Sequence, residues 1–372
     1  MSDAASTNVA EPTQPADQPG GKSDHATRRR RIALLIDTST TWVSGLIEGV
    51  ANYARSEQQS WVFSFEPRGK YDKMLLPDRW QGDGVVARVT HPGLADQLIR
   101  AKIPAVDVSW FRHGENVIPR RSCDEAAAGE LAVTYFMENG FRPFAYCPST
   151  LWPNYRDRLG QAFAQALEKR GFPCPVFSQD AAAFGQLDYD DQLKVLAEWL
   201  DGLPRPVALL AFDDLQGRQF TEACERAGIA VPDDVAVLGG DHDHLCSRIS
   251  SPPLSGIDLA PSEVGYRAAE MLDRLMNGKE LESQNVAIPP SRIITQQSTG
   301  KVAVDDELLA EAIRYIGAHY ADELRIRHIL HAIPLSRRSL EIGFREHLGR
   351  TPRREIRRIR VQKALELLCD TD

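Results

Sequence analysis

Polar and aromatic side chains follow the apolar runs of this sequence that are typical of buried strands. If these runs are parallel strands of an open α/β sheet, their carboxyl ends meet at one rim, where such folds bind ligands. Carboxylates accept hydrogen bonds from adjacent hydroxyl groups, guanidinium groups donate them, and aromatic faces pack on the apolar face of a sugar ring. The residues that follow the runs are Thr38 to Trp42, Asp124, Tyr155, Arg156, Arg158, Asp213, Asp214, Arg218, Asp241, His242 and Asp243.

A single Asp after a strand is more often a helix N-cap than a ligand contact. The convergence of several such positions favours a ligand site over that alternative. The pattern predicts a site for a small polyhydroxylated ligand. Its expected contacts are Trp42, Asp124, Tyr155, Arg158, Asp214, Arg218 and Asp241.

The elements that would carry this rim alternate between strand and helix patterns. Apolar runs such as IALLID, VALLAF and VAVLGG are followed by segments with helical spacing, such as VSGLIEGVANYARS and GRQFTEACERAG. Repeated βα units predict a parallel sheet covered by helices. About 270 residues exceed what one such core usually holds, so residues 32–300 are predicted to form two lobes. The last strand is expected over the continuous run SQNVAIPPSRIITQQST.

Several other features limit the class of protein. Residues 1–31 combine a polar, Pro- and Gly-containing stretch with a basic run, which predicts a disordered tail without the apolar core of a signal peptide. Six scattered Cys residues without a C-x-x-C pair favour reduced thiols in the cytoplasm, with no metal site and no cofactor. No apolar run is long enough for a membrane span. Catalytic motifs such as a P-loop or G-x-S-x-G are absent from the sequence, so we expect no enzyme.

The C-terminal segment differs from the rest in charge. The whole chain has a net charge of -8, whereas Arg325 to Lys363 contains 12 Lys and Arg against 3 acidic residues. Such asymmetry favours a polyanionic partner for this segment over a merely solvated basic helix.

The same segment has the pattern of a helix, a tight turn and a second helix. Leu340, Phe344 and Leu348 recur at i, i+4 and i+8, between a Ser336 N-cap and the stop at Gly349. The start of such a second helix enters the DNA major groove, and a following basic helix contacts phosphates. The expected DNA contacts are Ser336, Arg337, Arg338, Glu341, Arg345, Arg357 and Arg358.

The run LSRRSLEIGFREHLGRTPRREIRRIRVQKALELL resembles the first half of an AraC-type DNA-binding domain. Family members usually have a basic residue where this sequence has Ile342, and Gly343 follows it within the predicted helix. The family also has a second helix-turn-helix after the basic linker helix. Residues 301–372 are therefore expected to form only the first helix-turn-helix and the linker helix, joined to the preceding domain by Lys301 to Asp306.

Residues 32–299 resemble the sugar-sensing domain of LacI/GalR-type regulators. The resemblance rests on VPDDVAVLGGDHD, on SSPPLSGIDLAPSEVGYRAAEMLDRLMNG and on AFDDLQGRQFTEACERAGIAVP. It implies a periplasmic-binding-protein-like α/β fold with two lobes, and ligand contacts at Asp124, Asp214 and Asp241. His242 stands where Asn is common in the family, which could make recognition of a hydroxyl group sensitive to pH.

A LacI-type sensor followed by an AraC-type domain is similar to the layout of the xylose-operon regulators. That resemblance implies a homodimeric transcription activator that binds DNA and senses D-xylose or a related pentose between its lobes. The alternative is a sugar-binding module with impaired DNA binding, because the second helix-turn-helix is absent from the sequence.

Overall fold

The computed structural model describes residues 29–37, 40–65, 74–77, 79–111, 113, 117–149, 157–300 and 306–369. The predicted tail up to residue 28, the predicted ligand contact Tyr155 and most of the predicted interdomain joint lie outside these ranges, as do Thr38, Ser39 and Arg156. Within them the chain forms two α/β lobes and a helical C-terminal part, which confirms the predicted fold class.

The first lobe is built on a six-stranded sheet of order β10-β5-β4-β3-β1-β2, in which all the paired strands are parallel. Its apolar strands β3 and β4 are fully buried, as expected for a sheet covered on both faces. The elements are β1 Arg30–Leu35, α1 Thr41–Ser56, β2 Trp61–Phe65, β3 Gly84–Ala87, α2 Pro92–Ala101, β4 Ala105–Asp107, β5 Arg120–Cys123, α3 Glu125–Glu138, α9 Pro261–Met276 and β10 Asn285–Ile288.

The second lobe is built on a five-stranded sheet of order β11-β9-β8-β7-β6. Only the edge strand β11 runs antiparallel to its neighbour. Its elements are β6 Phe144–Cys147, α4 Arg158–Glu168, α5 Ala181–Gln186, α6 Tyr189–Asp201, β7 Val207–Ala211, α7 Asp214–Ala227, β8 Val235–Gly239, α8 His244–Ile249, β9 Ser255–Asp258 and β11 Arg292–Ile294, followed by a 3-10 turn at Gln297–Thr299.

Two helices cross between the lobes. Helix α3 follows a strand of the first lobe and packs on α4 of the second, while α9 follows a strand of the second lobe and packs on α1 of the first. Gly49 and Gly265 allow the close approach of α1 and α9, because a Cβ on either would lie 2.0 Å from a backbone oxygen of the other helix. The chain therefore connects the lobes repeatedly, and the carboxyl ends of both sheets border one cleft.

The C-terminal part contains α10 Glu307–Ala318, α11 Ile326–Ala332, α12 Arg337–Leu348 and α13 Pro352–Cys369. They share a small apolar core that includes Leu309, Ile316, Ile329, Leu340 and Phe344. Helices α10, α11 and α12 are short, and their stability comes mainly from this shared packing. Helix α10 was not predicted from the sequence.

The structure differs from the sequence prediction at the last predicted strand and at two short strands, β5 and β9. The predicted strand SQNVAIPPSRIITQQST is two strands, β10 in the first lobe and β11 in the second. Pro289 and Pro290 separate them, because proline has no N–H to donate to a ladder. Strands β5 and β9 were not predicted, because their sequences, RRSC and SGID, lack the apolar run of a buried strand. Within the described residues no helix is long and apolar enough to cross a membrane.

Candidate ligand cleft and basic helical domain

Four carboxylates lie together at the rim of the second lobe, as predicted from their positions at the ends of strands. Asp213 caps α7 by accepting the N–H of Gln216 at 2.9 Å. Asp243 caps α8 by accepting the N–H of Cys246 at 2.9 Å. Asp241 accepts the N–H of Asp214 at 2.9 Å. Two of the four are therefore helix caps, while Asp214 and Asp241 form a linked pair.

Asp214 is almost fully buried at the base of this rim. One carboxylate oxygen accepts the N–H of Asp243 at 2.8 Å, and the other, Oδ1, has no hydrogen-bond partner among the described residues. Burial and the nearby charge of Asp241 raise the pKa of Asp214 well above its usual range. A Cβ added to Gly239 would lie 1.8 Å from Oδ1, so this glycine leaves the space that the carboxyl group occupies.

A buried ion pair and two indoles form the wall of the first lobe. Arg88, which directly follows β3, donates from Nη1 to Oδ2 of Asp37 at 2.5 Å, and both residues are 4% exposed. The guanidinium carbon of Arg88 lies 5.0 Å from the ring centre of Trp110 and 5.8 Å from that of Trp42. Cation–π contacts of this kind are strengthened by desolvation. The wall presents flat aromatic surfaces beside a fixed positive charge.

The two walls nearly meet. The rings of Trp110 and Phe212 approach edge to face across the cleft, with 6.1 Å between their centres. The cavity between the lobes has a volume of only about 20 Å³ and is lined by Trp110, Cys123, Glu125, Ala128, Leu159, Phe212, Gly240, Asp241 and Leu259. That is space for about one water molecule, so a sugar requires the walls to separate or repack.

The structure brings together only some of the residues predicted to contact the ligand. Asp241 lines the cavity, Asp214 lies behind it and Trp42 packs against the ring of Trp110 at 5.1 Å. Asp124 instead caps α3 and accepts the N–H groups of Ala126 and Ala127.

Two predicted arginines lie elsewhere. The residue of α4 that lines the cavity is Leu159, not its neighbour Arg158. Arg218 points to the neighbouring helix α6, where it donates to the hydroxyl of Tyr189 at 2.6 Å and pairs with Glu222 at 3.0 Å. Arg218 follows the rim residue Asp214 by one helical turn, and the sequence spacing could not show that its side chain turns away.

The sequence reasoning missed residues that line or border the cleft: Asp37, Arg88, Trp110, Glu125 and Phe212. The available signal was a charged or aromatic residue just beyond each apolar strand. Arg88 follows GVVA directly, and Phe212 follows VALLA.

Helices α11 and α12 have the predicted local geometry. Ser336 caps α12 by accepting the N–H of Ser339 at 3.0 Å, and Leu340, Phe344 and Leu348 form its buried stripe. Arg337, Arg338 and Arg345 are exposed. Arg337 and Glu341 form an exposed pair at 3.1 Å, one helical turn apart. The first turns of α12 therefore present cationic side chains to solvent.

Gly343 has a packing role that the sequence did not indicate. A Cβ at this position would lie 2.8 Å from Cδ2 of Leu309, so the glycine lets α12 approach α10 closely. Ile342 beside it is 41% exposed and outside the core. Gly343 therefore allows the close packing of two helices, whereas Ile342 lies on the surface of the domain.

The basic residues of α13 divide into two groups. Glu355 is fully buried between Arg350 and Arg358, and it accepts hydrogen bonds from both. Burial opposes ionisation of Glu355, but the two guanidinium groups outweigh it and lower its pKa. Arg358, a predicted DNA contact, is thus engaged inside the protein, whereas Arg357 is exposed.

Comparisons with known proteins agree with this architecture. Residues 31–121 match a family model described as the XylR N-terminal domain, and residues 133–299 match one described as a periplasmic binding protein-like domain. The chain is 28% identical to the xylose operon regulatory protein of Escherichia coli K12, with 93% of this chain and 88% of the relative covered. Identity to the Haemophilus influenzae protein of the same name is 26%, with 92% and 89% covered. A solved structure titled as the xylose-binding transcription activator xylR superposes with a TM-score of 0.66 and 27% identity, covering 92% of this chain and 88% of that chain.

The fold and the cleft define a periplasmic binding protein-like sensor domain. Over most of its length the chain is similar to the xylose operon regulatory proteins, which confirms the resemblance found in its sequence.

Proposed function

We propose that this protein is a sugar-responsive, DNA-binding transcription regulator that binds D-xylose or a related pentose between its two lobes. Relatives that cover most of this chain are named as xylose operon regulators, and a similar solved structure is titled as xylose-binding. In the proposed function the protein acts as a homodimer in the cytoplasm.

The observation that carries the sugar assignment is the buried Arg88 beside Trp42 and Trp110, where Trp110 lines the same cavity as Asp241 of the other lobe. Aromatic faces suit the apolar side of a pyranose, and a carboxylate accepts from adjacent hydroxyl groups. Because these groups come from different lobes, sugar contacts both only in a particular lobe arrangement. Differential affinity for that arrangement is what a sugar-driven switch requires.

Calorimetric titration with D-xylose and other pentoses tests the site. Asp241→Ala should weaken binding by about 1 kcal/mol or more, because hydrogen bonds to a charged acceptor are lost. Arg218→Gln is the matched control, since Arg218 is engaged with Tyr189 and Glu222 on the outer side of α7. Unchanged affinity in Asp241→Ala, or equal losses in both variants, would contradict the cleft assignment.

DNA binding is proposed through α12, with Ser336, Arg337, Arg338, Glu341 and Arg345 at its exposed side and Arg357 on α13. Arg is the side chain best suited to guanine edges in the major groove. Arg338→Ala should reduce both affinity and sequence preference, whereas Arg357→Ala should weaken binding to all sequences about equally. Selection of genomic fragments by the purified chain, with and without D-xylose, measures both effects. An equal loss of sequence preference in Arg338→Ala and Arg357→Ala would contradict the proposal that α12 contacts the DNA bases.

Two observations favour the alternative, a sugar-binding module that binds DNA poorly. Ile342 is exposed on α12 where the AraC-type pattern usually has a basic residue, and Arg358 is paired with Glu355. Pentose binding without enrichment of any DNA fragment would support this alternative. Enrichment of a few sites that changes with D-xylose would exclude it.

A further inference from the structure

A second cavity, much larger than the one in the cleft, lies where the two lobes meet the C-terminal helices. Its volume is about 890 Å³, and it shares only Leu259 with the lining of the small cleft cavity. The start of α1, the segment from His242 through α8, the start of α9, strand β11 and Lys363 of α13 form its walls. Protein cavities of about 300 to 1,000 Å³ accommodate small-molecule ligands.

Three polar atoms of residues that line this cavity are buried without a hydrogen-bond partner among the described residues. They are Nη1 of Arg292, on β11, Nδ1 of His242 and Nε1 of Trp42, whose side chain is 3% exposed. Buried polar groups in folded proteins are nearly always paired, so three unpaired atoms at one cavity indicate a missing partner. Burial is the main cause that lowers the pKa of His242 to about 4, so its ring is neutral near pH 7. A neutral imidazole can donate to, or accept from, a polar ligand.

The cavity is lined by three cationic and three acidic side chains. Arg248, Arg292 and Lys363 line it, together with Glu48, Asp258 and Glu263. Glu263 is engaged with Arg267 at 2.8 Å, and Asp258 accepts the N–H of Ala260 at 3.0 Å. Two of the three acidic groups therefore already have partners within the protein.

The start of α9 contributes positive potential to the cavity, which Glu263 in its first turn partly offsets. Its capping residue Ala260 provides no side-chain acceptor, and Pro261 occupies the first helical position. The first-turn amides therefore have no side-chain cap, and the N-terminal end of a helix of this length favours negative charge. A phosphate group accepts hydrogen bonds from the free N–H groups at the start of a helix and from the guanidinium nitrogens of an Arg side chain.

We propose that this cavity is a second ligand site, which binds a small phosphorylated metabolite through Arg292 and the first turn of α9. The site goes beyond the pentose-binding cleft of the proposed function. Because its walls come from both lobes and from α13, a bound ligand holds the C-terminal helices against the sensor. The site therefore gives the protein an input that is separate from its pentose response.

The test is a calorimetric titration of the full chain with glucose 6-phosphate at constant ionic strength. Glucose and sulfate serve as controls for the sugar and for a simple dianion. We expect glucose 6-phosphate to bind and glucose not to bind. Arg292→Gln should weaken binding at least tenfold, and Arg248→Gln, at an exposed position, at least threefold. Arg274→Gln, near the other end of α9, is the matched control and should bind like the unmodified chain.

Lys363→Gln tests the contribution of α13, and this variant should bind glucose 6-phosphate at least threefold more weakly than the unmodified chain. D-xylose affinity is measured on every variant. Absence of glucose 6-phosphate binding, equal binding by glucose, or full affinity in both Arg292→Gln and Arg248→Gln would overturn the proposal. Unchanged affinity for glucose 6-phosphate in Lys363→Gln would show that α13 does not contribute to the site. Loss of D-xylose binding alone would contradict the proposed function and leave this site intact.

Discussion

The backbone N–H and the hydroxyl of Thr41 both donate to the same carboxylate oxygen of Asp243, at 2.7 and 2.9 Å. Thr41 begins α1 of the first lobe, and Asp243 caps α8 of the second. One carboxylate thus serves as a helix cap and as a bridge between the lobes. The contact holds the cleft in the nearly closed arrangement described above.

Removing the hydroxyl from this bridge should make lobe opening easier. Thr41→Val removes the hydroxyl, which donates to Asp243 and accepts the N–H of His244 at 3.1 Å, and keeps the backbone hydrogen bond. The loss of two hydrogen bonds costs about 2 kcal/mol and favours the open arrangement about thirtyfold. Small-angle X-ray scattering of the sugar-free protein should report a larger radius of gyration. Ser44→Ala, which removes another hydroxyl from the first turns of α1, is the control. Equal radii for both variants would show that the bridge does not control opening.

Removing Arg88 alone should destabilise the sensor strongly. Arg88→Met leaves Asp37 as a buried charge without its cation, and breaking a buried pair costs about 3 to 5 kcal/mol. The double variant Asp37→Asn with Arg88→Met should recover most of this loss, because no uncompensated charge remains. Urea unfolding measures the stability, and D-xylose titration measures binding. Recovery of stability without recovery of binding would separate the ligand role of Arg88 from its structural role. If the double variant bound D-xylose normally, Arg88 would have no part in recognition.

Replacing Glu355 should loosen the C-terminal helices. Glu355→Gln leaves Arg350 and Arg358 close together without the buried anion between them, with an expected loss of about 3 kcal/mol or more. Hydrogen exchange of the amides in α12 and α13 measures this local stability. Glu346→Gln changes the same charge at an exposed position of α12 and should have little effect. Similar exchange rates in both variants would contradict a structural role for the buried triad.

Adding a positive charge at position 342 should strengthen DNA binding. Ile342 is 41% exposed, so Arg fits there without disturbing the core, and stability should change by less than about 0.5 kcal/mol. Val361→Arg adds the same charge at a 52% exposed position of α13 and controls for general attraction to DNA. Fluorescence anisotropy with a selected DNA fragment measures the affinities. An equal gain from both variants would mean that position 342 has no specific place at the DNA surface.

His242 should make the sensor less stable as the pH falls. Burial lowers the pKa of His242 to about 4, below the usual value of 6.5. The unfolded chain therefore binds the extra proton between about pH 6.5 and 4, and stability falls as the pH decreases through this window. His242→Gln should lose less stability than the unmodified chain over this window, when both are compared by urea unfolding at several pH values. Parallel pH profiles would show that His242 does not contribute.

Part of the site could be predicted from the sequence because it depends only on which residues follow each strand along the chain. The alternation of apolar runs and helical segments predicted that Asp213, Asp214, Asp241 and Asp243 would share one rim. Arg218 was placed with them because it follows a strand end. Whether a side chain on the second turn of a helix faces the cleft depends on the neighbouring helix, and α6 provides Tyr189 as its partner.

The sequence by itself determined the βα alternation, the helix caps such as Ser336 and the basic character of the C-terminal segment. These features arise from periodicity and from hydrogen bonds between residues a few positions apart. Only the tertiary structure decided that Arg88 stacks on two indoles, that β10 and β11 belong to different lobes, and that Arg358 pairs inside the protein. Those outcomes depend on strand order and on packing between distant segments. The burial of a charge is set by what surrounds it in space, and residue type and local spacing do not contain that information.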